Sequence, residues 1–222
     1  MSTSLPGSSP SSTLENLTGT GKGQRIGLFG GTFDPPHVGH LVTAVNVRHA
    51  LDLDIVILMV ANVPWQKEGT RTITPAMDRL AMVEAAVQDA PGIVAGRWEI
   101  DHGGPSYTAV TLEGLVGQWP QAEFFTIIGD DAAGGLHTWE RLDVVCSLSR
   151  IVVVDRPGHE LNSVDSDRGR FIHVEVPRLE VSSTDLRARF ADGRPLDYLI
   201  TEPVLHVIRS RALYSQSVGS HR

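Results

Sequence analysis

The chain has 222 residues, with 19 Lys and Arg against 26 Asp and Glu, and its net charge of -7 gives no overall attraction to nucleic acid or anionic lipid. A single cysteine, Cys146, excludes an intrachain disulfide or a zinc cluster and fits a reducing cytoplasm. The longest purely apolar run, Ile55 to Ala61, is far shorter than the roughly 20 residues of a membrane helix, so no membrane partner is expected.

Residues 1–23 are dominated by Ser, Thr, Gly and Pro and read as a disordered tail; one domain over 24–216 and a flexible end over 217–222 follow. Gly21-Lys22-Gly23 precedes the first strand and reads as linker. Short apolar runs predict strands near Arg25–Gly30, Asp54–Ala61, Ile93–Ile100, Glu123–Ile128, Arg150–Asp155 and Phe171–Glu175, with helical patterns between them. Such alternation predicts an α/β fold with a doubly wound parallel sheet. Thr74 reads as the N-cap of a helix over Pro75–Asp89, because a proline at the first helical position needs no amide hydrogen. Ser182 with Asp185 resembles a capping box, Gly193 stops that helix, and Glu202-Pro203 starts another through Arg209, so the chain closes with a small helical part.

Chemistry concentrates between the first strand and the first helix, in Gly30-Gly31-Thr32-Phe33-Asp34-Pro35-Pro36-His37-Val38-Gly39-His40. Gly30 and Gly31 let backbone amides approach a ligand, and the helix start offers unpaired N–H groups to an anion. His37 and His40 share one face of the first turn, and Gly39 between them leaves room for a nucleotide to lie against the backbone. This is a phosphate cradle, but it is neither a P-loop nor a dinucleotide fingerprint. A metal site here would need a third ligand, for which Asp34 is the near candidate. A second helix start, Val181-Ser182-Ser183-Thr184-Asp185-Leu186-Arg187, offers hydroxyls, amides and a guanidinium on one face. Taken alone it fits simple capping as well as anion binding.

In this order the two segments resemble the His-x-Gly-His and Ser-Ser-Thr-x-x-Arg motifs of the nucleotidyltransferase superfamily, whose fold is Rossmann-like. Three further segments make the chain similar to bacterial nicotinate-nucleotide adenylyltransferases. Asn62-Val63-Pro64-Trp65-Gln66-Lys67 resembles the family's phosphate-facing loop, with Lys67 its cation. Gly104-Pro105-Ser106-Tyr107-Thr108 resembles the turn that holds the nicotinate end of the acceptor, although Ser106 or Thr108 could instead cap a helix. Gly129-Asp130-Asp131 and Leu136-His137-Thr138-Trp139 resemble the family's Gly-x-Asp and Leu-x-x-Trp pair, in which Trp139 can stack on the pyridine ring. Asp130 departs from the usual small or uncharged residue, which leaves open whether it or Asp131 meets the ribose. Arg156-Pro157-Gly158 matches a further turn, where Arg156 could serve only as a tether.

The resemblance implies adenylyl transfer from ATP to nicotinate mononucleotide, giving nicotinate adenine dinucleotide and pyrophosphate, a late step in making NAD in the cytoplasm. It implies catalytic roles for His37, His40, Lys67 and Arg187. ATP would meet Gly30, Gly31, Thr32, Phe33, His37, Gly39, His40, Gly129, Asp131, Ser183, Thr184 and Arg187. The acceptor would meet Lys67, Ser106, Tyr107, Thr108 and Trp139. Mg²⁺ should ride on the nucleotide without a dedicated protein site. A phosphopantetheine adenylyltransferase shares both phosphate motifs, and a nucleotide-binding regulator could keep the cradle without turnover. Self-association into a homo-oligomer stays open. His49, His102, His137, His159, His173 and His206 read as surface or loop residues.

Overall fold

Strands that are apolar on both faces can only be buried between two layers of helices, and the inner strands of a six-stranded sheet do this here. The computed structural model describes residues 21–64, 72–155 and 171–214. In chain order the strands are β1 (Arg25–Gly31), β2 (Ile55–Val60), β3 (Ile93–Gly96), β4 (Glu123–Gly129), β5 (Ser149–Asp155) and β6 (Ile172–Glu175). They form one parallel sheet in the order β3-β2-β1-β4-β5-β6, which is the doubly wound topology expected from the sequence. The helices are α1 (Val38–Ala50), α2 (Ala76–Val87), α3 (Trp98–His102), α4 (Thr108–Gln118), α5 (Asp130–Ala133), α6 (Leu142–Leu148), α7 (Ser183–Asp192) and α8 (Glu202–Ser210).

Side-chain alternation along each strand divides the core between the two faces. Ile57 and Met59 join Phe124, Ile151 and Val153 on the face covered by α4 and α6. Val56, Leu58 and Val60 join Phe125, Ile127 and Val152 on the opposite face, with Leu80 and Val83 of α2. A third cluster ties Met82 of α2 to Leu186, Val204, Leu205 and Ile208, and so seats α7 and α8 on the domain. Gly21, at the start of the described chain, packs against Trp119 and Ala122. Among the described residues no helix is long and apolar enough to cross a membrane.

Three expectations need correction. The third strand ends at Gly96, and α3 takes residues expected to continue it. Gly96 lies so close to β2 that a Cβ would stand 2.5 Å from Ile57 Cγ2, and beyond it Trp98 packs on Gly114 of α4. A short apolar run does not distinguish strand from helix by periodicity, and here packing decides. At α2 the N-cap is Pro75 in extended geometry, not Thr74. Thr74 is held through its backbone instead, its carbonyl accepting from Arg79 at 2.8 Å. At α7 only half of the box forms: Ser182 accepts from the Asp185 amide at 3.2 Å, while the Asp185 carboxylate turns to Arg189 at 2.6 Å. Gly193 then closes the helix in left-handed geometry, as expected.

Leu186 is fully buried in the cluster that seats α7. Leu186→Ala should therefore cost about 2–5 kcal/mol of stability, read as a lowered midpoint in urea unfolding.

Candidate active site

The sheet order places β1 beside β4 while the chain leaves them toward opposite edges, which opens a crevice beyond their carboxyl ends. Gly30 and Gly31 end β1 there, and Gly129 ends β4. A Cβ at Gly30 or Gly129 would meet no protein atom within 4 Å, so these glycines keep space open for something other than protein. Gly31 serves packing, since a Cβ would come within 2.7 Å of the Phe33 ring.

Two cavities meet at this point. One, of about 460 Å³, is lined by His37, Gly39, His40, Ser183, Thr184 and Arg187. The other, of about 260 Å³, is lined by Glu99, Ser106, Tyr107, Thr108, Ala132 and Trp139. They share Phe29, Gly30, Gly31, Thr32 and Gly129 as a common wall.

His37 is the N-cap of α1 and His40 its third residue. The His37 amide donates to His40 Nδ1 at 3.1 Å, which leaves the proton of a neutral His40 on Nε2. The two rings stack with centroids 3.7 Å apart, and Phe33 meets His40 edge-on at 5.0 Å. His37 is 8% exposed, and burial lowers its pKa to about 4, so its imidazole is neutral at pH 7 in the unliganded protein. Gly39 allows this packing: a Cβ would stand 3.0 Å from both His37 Nδ1 and Val181 Cγ1.

The second motif is fastened to the first through the backbone. Ser183 Oγ donates to the Pro35 carbonyl at 2.8 Å, and Arg187 Nη1 donates to the Asp34 carbonyl at 2.6 Å. Arg187 Nη2 also reaches Thr184 Oγ1 at 3.1 Å, which holds the guanidinium along the cavity wall. The Asp34 carboxylate is turned away from a metal role. It is buried and accepts from the Tyr214 hydroxyl at 2.6 Å, and among the described residues no cluster of three or more His, Cys, Asp or Glu could hold a metal ion.

At the smaller cavity, neither Ser106 nor Thr108 caps α4. The N-cap is Tyr107, without a side-chain bond, and Ser106 Oγ accepts from the Asn62 amide at 2.8 Å. Trp139 is half-buried, packing against the core on one side and lining the cavity on the other. Lys67 and Arg156 lie outside the described residues, as does the side chain of Asp131; its backbone belongs to α5. Of the remaining histidines, His49, His102, His137 and His206 are exposed, and His159 lies outside the described residues. His173 is the exception, half-buried in β6 opposite Val153 rather than in a loop.

Four functional-site neighbours were not legible as such in the sequence. Arg79 is 1% exposed and spends its guanidinium on the carbonyls of Thr74, Thr32 and Asn62 at 2.8, 2.9 and 3.1 Å. Glu99 is buried against Thr111, Asn62 joins Arg79 to Ser106, and Tyr214 anchors Asp34. One signal was available: a cation in the first turn of α2 opposes the helix dipole and needs another reason to be there.

Comparison with known proteins agrees with this geometry. Residues 28–189 match the cytidylyltransferase-like family model. A Corynebacterium kroppenstedtii protein named "Probable nicotinate-nucleotide adenylyltransferase" is 42% identical over 195 residues, which cover 87% of this chain and 92% of that one. The chain belongs to the nicotinate-nucleotide adenylyltransferase family. A Streptomyces coelicolor member of the same name is 42% identical over 186 residues, covering 84% of this chain and 98% of its own. The structure of Plasmodium falciparum nicotinic acid mononucleotide adenylyltransferase complexed with NaAD superposes with a TM-score of 0.68 at 14% identity, covering 86% of this chain and 97% of that one. At that identity the likeness speaks for the fold, a Rossmann-like nucleotidyltransferase sheet.

The lowered pKa of His37 has a consequence for stability. Its neutral form is favoured by folding, so the contribution is complete above the unfolded pKa near 6.5 and is lost as pH falls through about 4. Between those values on the order of 3 kcal/mol should disappear. His37→Gln should flatten this part of the curve, measured as urea midpoint against pH.

Proposed function

We propose that the two cavities are the ATP and nicotinate mononucleotide sites of an adenylyltransferase, with the reacting phosphates meeting at the wall they share. The single observation that carries this is the pairing itself. A cavity lined by N–H donors adjoins one lined by an indole and a phenol, and glycines without side chains form the boundary.

In this reading the triphosphate lies between the start of α1 and the start of α7. His37 and His40 offer ring N–H groups to its oxygens, Thr32 a further contact, and Ser183, Thr184 and Arg187 close the opposite side. Gly30, Gly31, Phe33, Gly39 and Gly129 shape the path of the nucleotide, and Asp131 is assigned to the ribose. Lys67 is assigned to the phosphates of both substrates. The acceptor ring stacks on Trp139, with Ser106, Tyr107 and Thr108 around its nicotinate end.

An oxygen of the acceptor phosphate attacks the α-phosphorus, a new P–O bond forms in line with the breaking bond to the β-phosphate oxygen, and pyrophosphate leaves. The attacking phosphate is already ionised at neutral pH, so no general base is required. Catalysis rests on alignment and on donors aimed at the charge that develops on the α-phosphate and pyrophosphate. The amides, imidazoles and guanidinium of the cradle fit phosphate oxygens better than a hard cation. Mg²⁺ is therefore assigned to the triphosphate itself, where it supplies further neutralisation of charge.

Pyrophosphate release should be fast with nicotinate mononucleotide and at background with 4′-phosphopantetheine. The reverse preference would favour a phosphopantetheine enzyme, and ATP binding without turnover on any acceptor would favour a regulator.

Two substitutions test the roles. His40→Ala should lower kcat by roughly 10²–10³ in a folded protein, since one preorganised donor to transition-state charge contributes about 3–4 kcal/mol. A variant within about threefold of wild type would remove His40 from the transition state. Trp139→Ala should raise KM for nicotinate mononucleotide by roughly 5- to 30-fold, with KM for ATP little changed. Equal losses for both substrates would make Trp139 a core residue only.

A further inference from the structure

The wall of the smaller cavity contains a buried carboxylate to which the reaction assigns no task. Glu99 is 9% exposed, lines the cavity beside Ser106, and accepts from Thr111 Oγ1 at 2.7 Å; the same hydroxyl also reaches the Tyr107 carbonyl at 3.2 Å. Ser106 Oγ in turn accepts from the Asn62 amide at 2.8 Å, and the Asn62 carbonyl accepts from Arg79 at 3.1 Å. Arg79 also holds the Thr32 carbonyl of the phosphate cradle at 2.9 Å. Asn62 and Arg79 thus tie the Thr32 carbonyl on the ATP side to the Ser106 turn on the acceptor side, with a buried guanidinium behind the one and the Glu99 carboxyl beside the other.

We infer that Glu99 is a positioning residue that fixes the Ser106-Tyr107-Thr108 turn relative to the Arg79-held cradle, and so sets the affinity of the acceptor site. The inference rests on the adenylyltransferase reading above. Three observations carry it. Burying a carboxyl group is costly unless donors meet it, and the Thr111 hydroxyl that meets this one also contacts the Tyr107 carbonyl of the acceptor turn at 3.2 Å. The same turn is sewn to the end of β2 by two more bonds, Ser106 N to the Val63 carbonyl at 3.0 Å and Asn62 Nδ2 to the Gly104 carbonyl at 2.9 Å. Burial raises the pKa of Glu99, and the neighbouring hydroxyls and the Arg79 charge oppose that rise, which ties the carboxyl to both sides of the seam. A turn held from both sides in this way has little freedom to shift, and its position decides where the acceptor ring and phosphate lie relative to the α-phosphorus.

Glu99→Gln keeps the shape but replaces the carboxyl with a neutral amide, a weaker acceptor for the Thr111 hydroxyl. It should raise KM for nicotinate mononucleotide about tenfold while KM for ATP stays within about twofold. Thr111 does not line the cavity, so its hydroxyl reaches the acceptor through Glu99 and through the Tyr107 carbonyl it meets at 3.2 Å. Thr111→Val should raise the acceptor KM several-fold, and Thr111→Ser, which keeps the hydroxyl, should restore it. Binding of a non-hydrolysable ATP analogue, followed by calorimetry, should be unchanged in all three. If Glu99→Gln does not fold, the Thr111 pair decides alone. Equal changes in both KM values, or an acceptor KM indifferent to the Thr111 hydroxyl, would overturn the assignment. Absence of dinucleotide formation by the wild-type protein would instead overturn the adenylyltransferase reading, so the two failures are distinguishable.

Discussion

Two side-chain bonds to backbone carbonyls hold the site together. Ser183 to Pro35 spans 148 residues of sequence and Arg187 to Asp34 spans 153, and between them they bring the start of α7 against the loop that follows β1. Without that seam the cradle would have one side, a helix start with two imidazoles. With it, donors face an anion from two directions. The seam depends in turn on Gly39, where any side chain would separate His37 from Val181, and on the apolar cluster that seats α7 and α8 against α2.

The electrostatics are local. A chain with a net charge of -7 has no global attraction to nucleotides, yet Arg187, His37 and His40 all line one cavity at the carboxyl end of the sheet, and Arg79 is buried just behind the loop they flank. Of these, His37 is uncharged in the empty site because burial opposes its protonation. The cradle before binding thus holds a neutral His37 beside the Arg187 guanidinium, which limits the repulsion between two imidazoles stacked 3.7 Å apart. In the proposed reaction the triphosphate supplies negative charge that opposes the effect of burial on His37.

Much of this was legible in the sequence because glycine, histidine and the Ser-Ser-Thr run are local signals. Gly30 could be placed just before the first helix, and His37, His40 and Arg187 in the first turns of two helices, from spacing alone, and the alternation of apolar runs predicted the parallel sheet and with it the crevice between β1 and β4. The buried polar residues were different. Arg79 sits in a helix whose neighbours Leu80 and Val83 read as an ordinary apolar face, and Glu99 fell within an expected strand that ends instead at Gly96. Their partners, Thr32, Asn62 and Thr111, are distant in sequence or separated by a turn, so no periodicity exposes them. Tyr214 to Asp34 spans 180 residues and has no local signature at all. Contacts made by long-range closure of the fold become visible only when the fold is seen.

In the proposed reaction the histidines and Arg187 stabilise charge while the acceptor phosphate itself performs the attack. The stereochemical course at phosphorus tests this most directly. With ATP made chiral at the α-phosphorus by sulfur substitution, a single in-line displacement predicts inversion of configuration in the dinucleotide product. Net retention would require two displacements through a nucleotidyl-enzyme, with His37 or His40 as nucleophile, and would contradict the account.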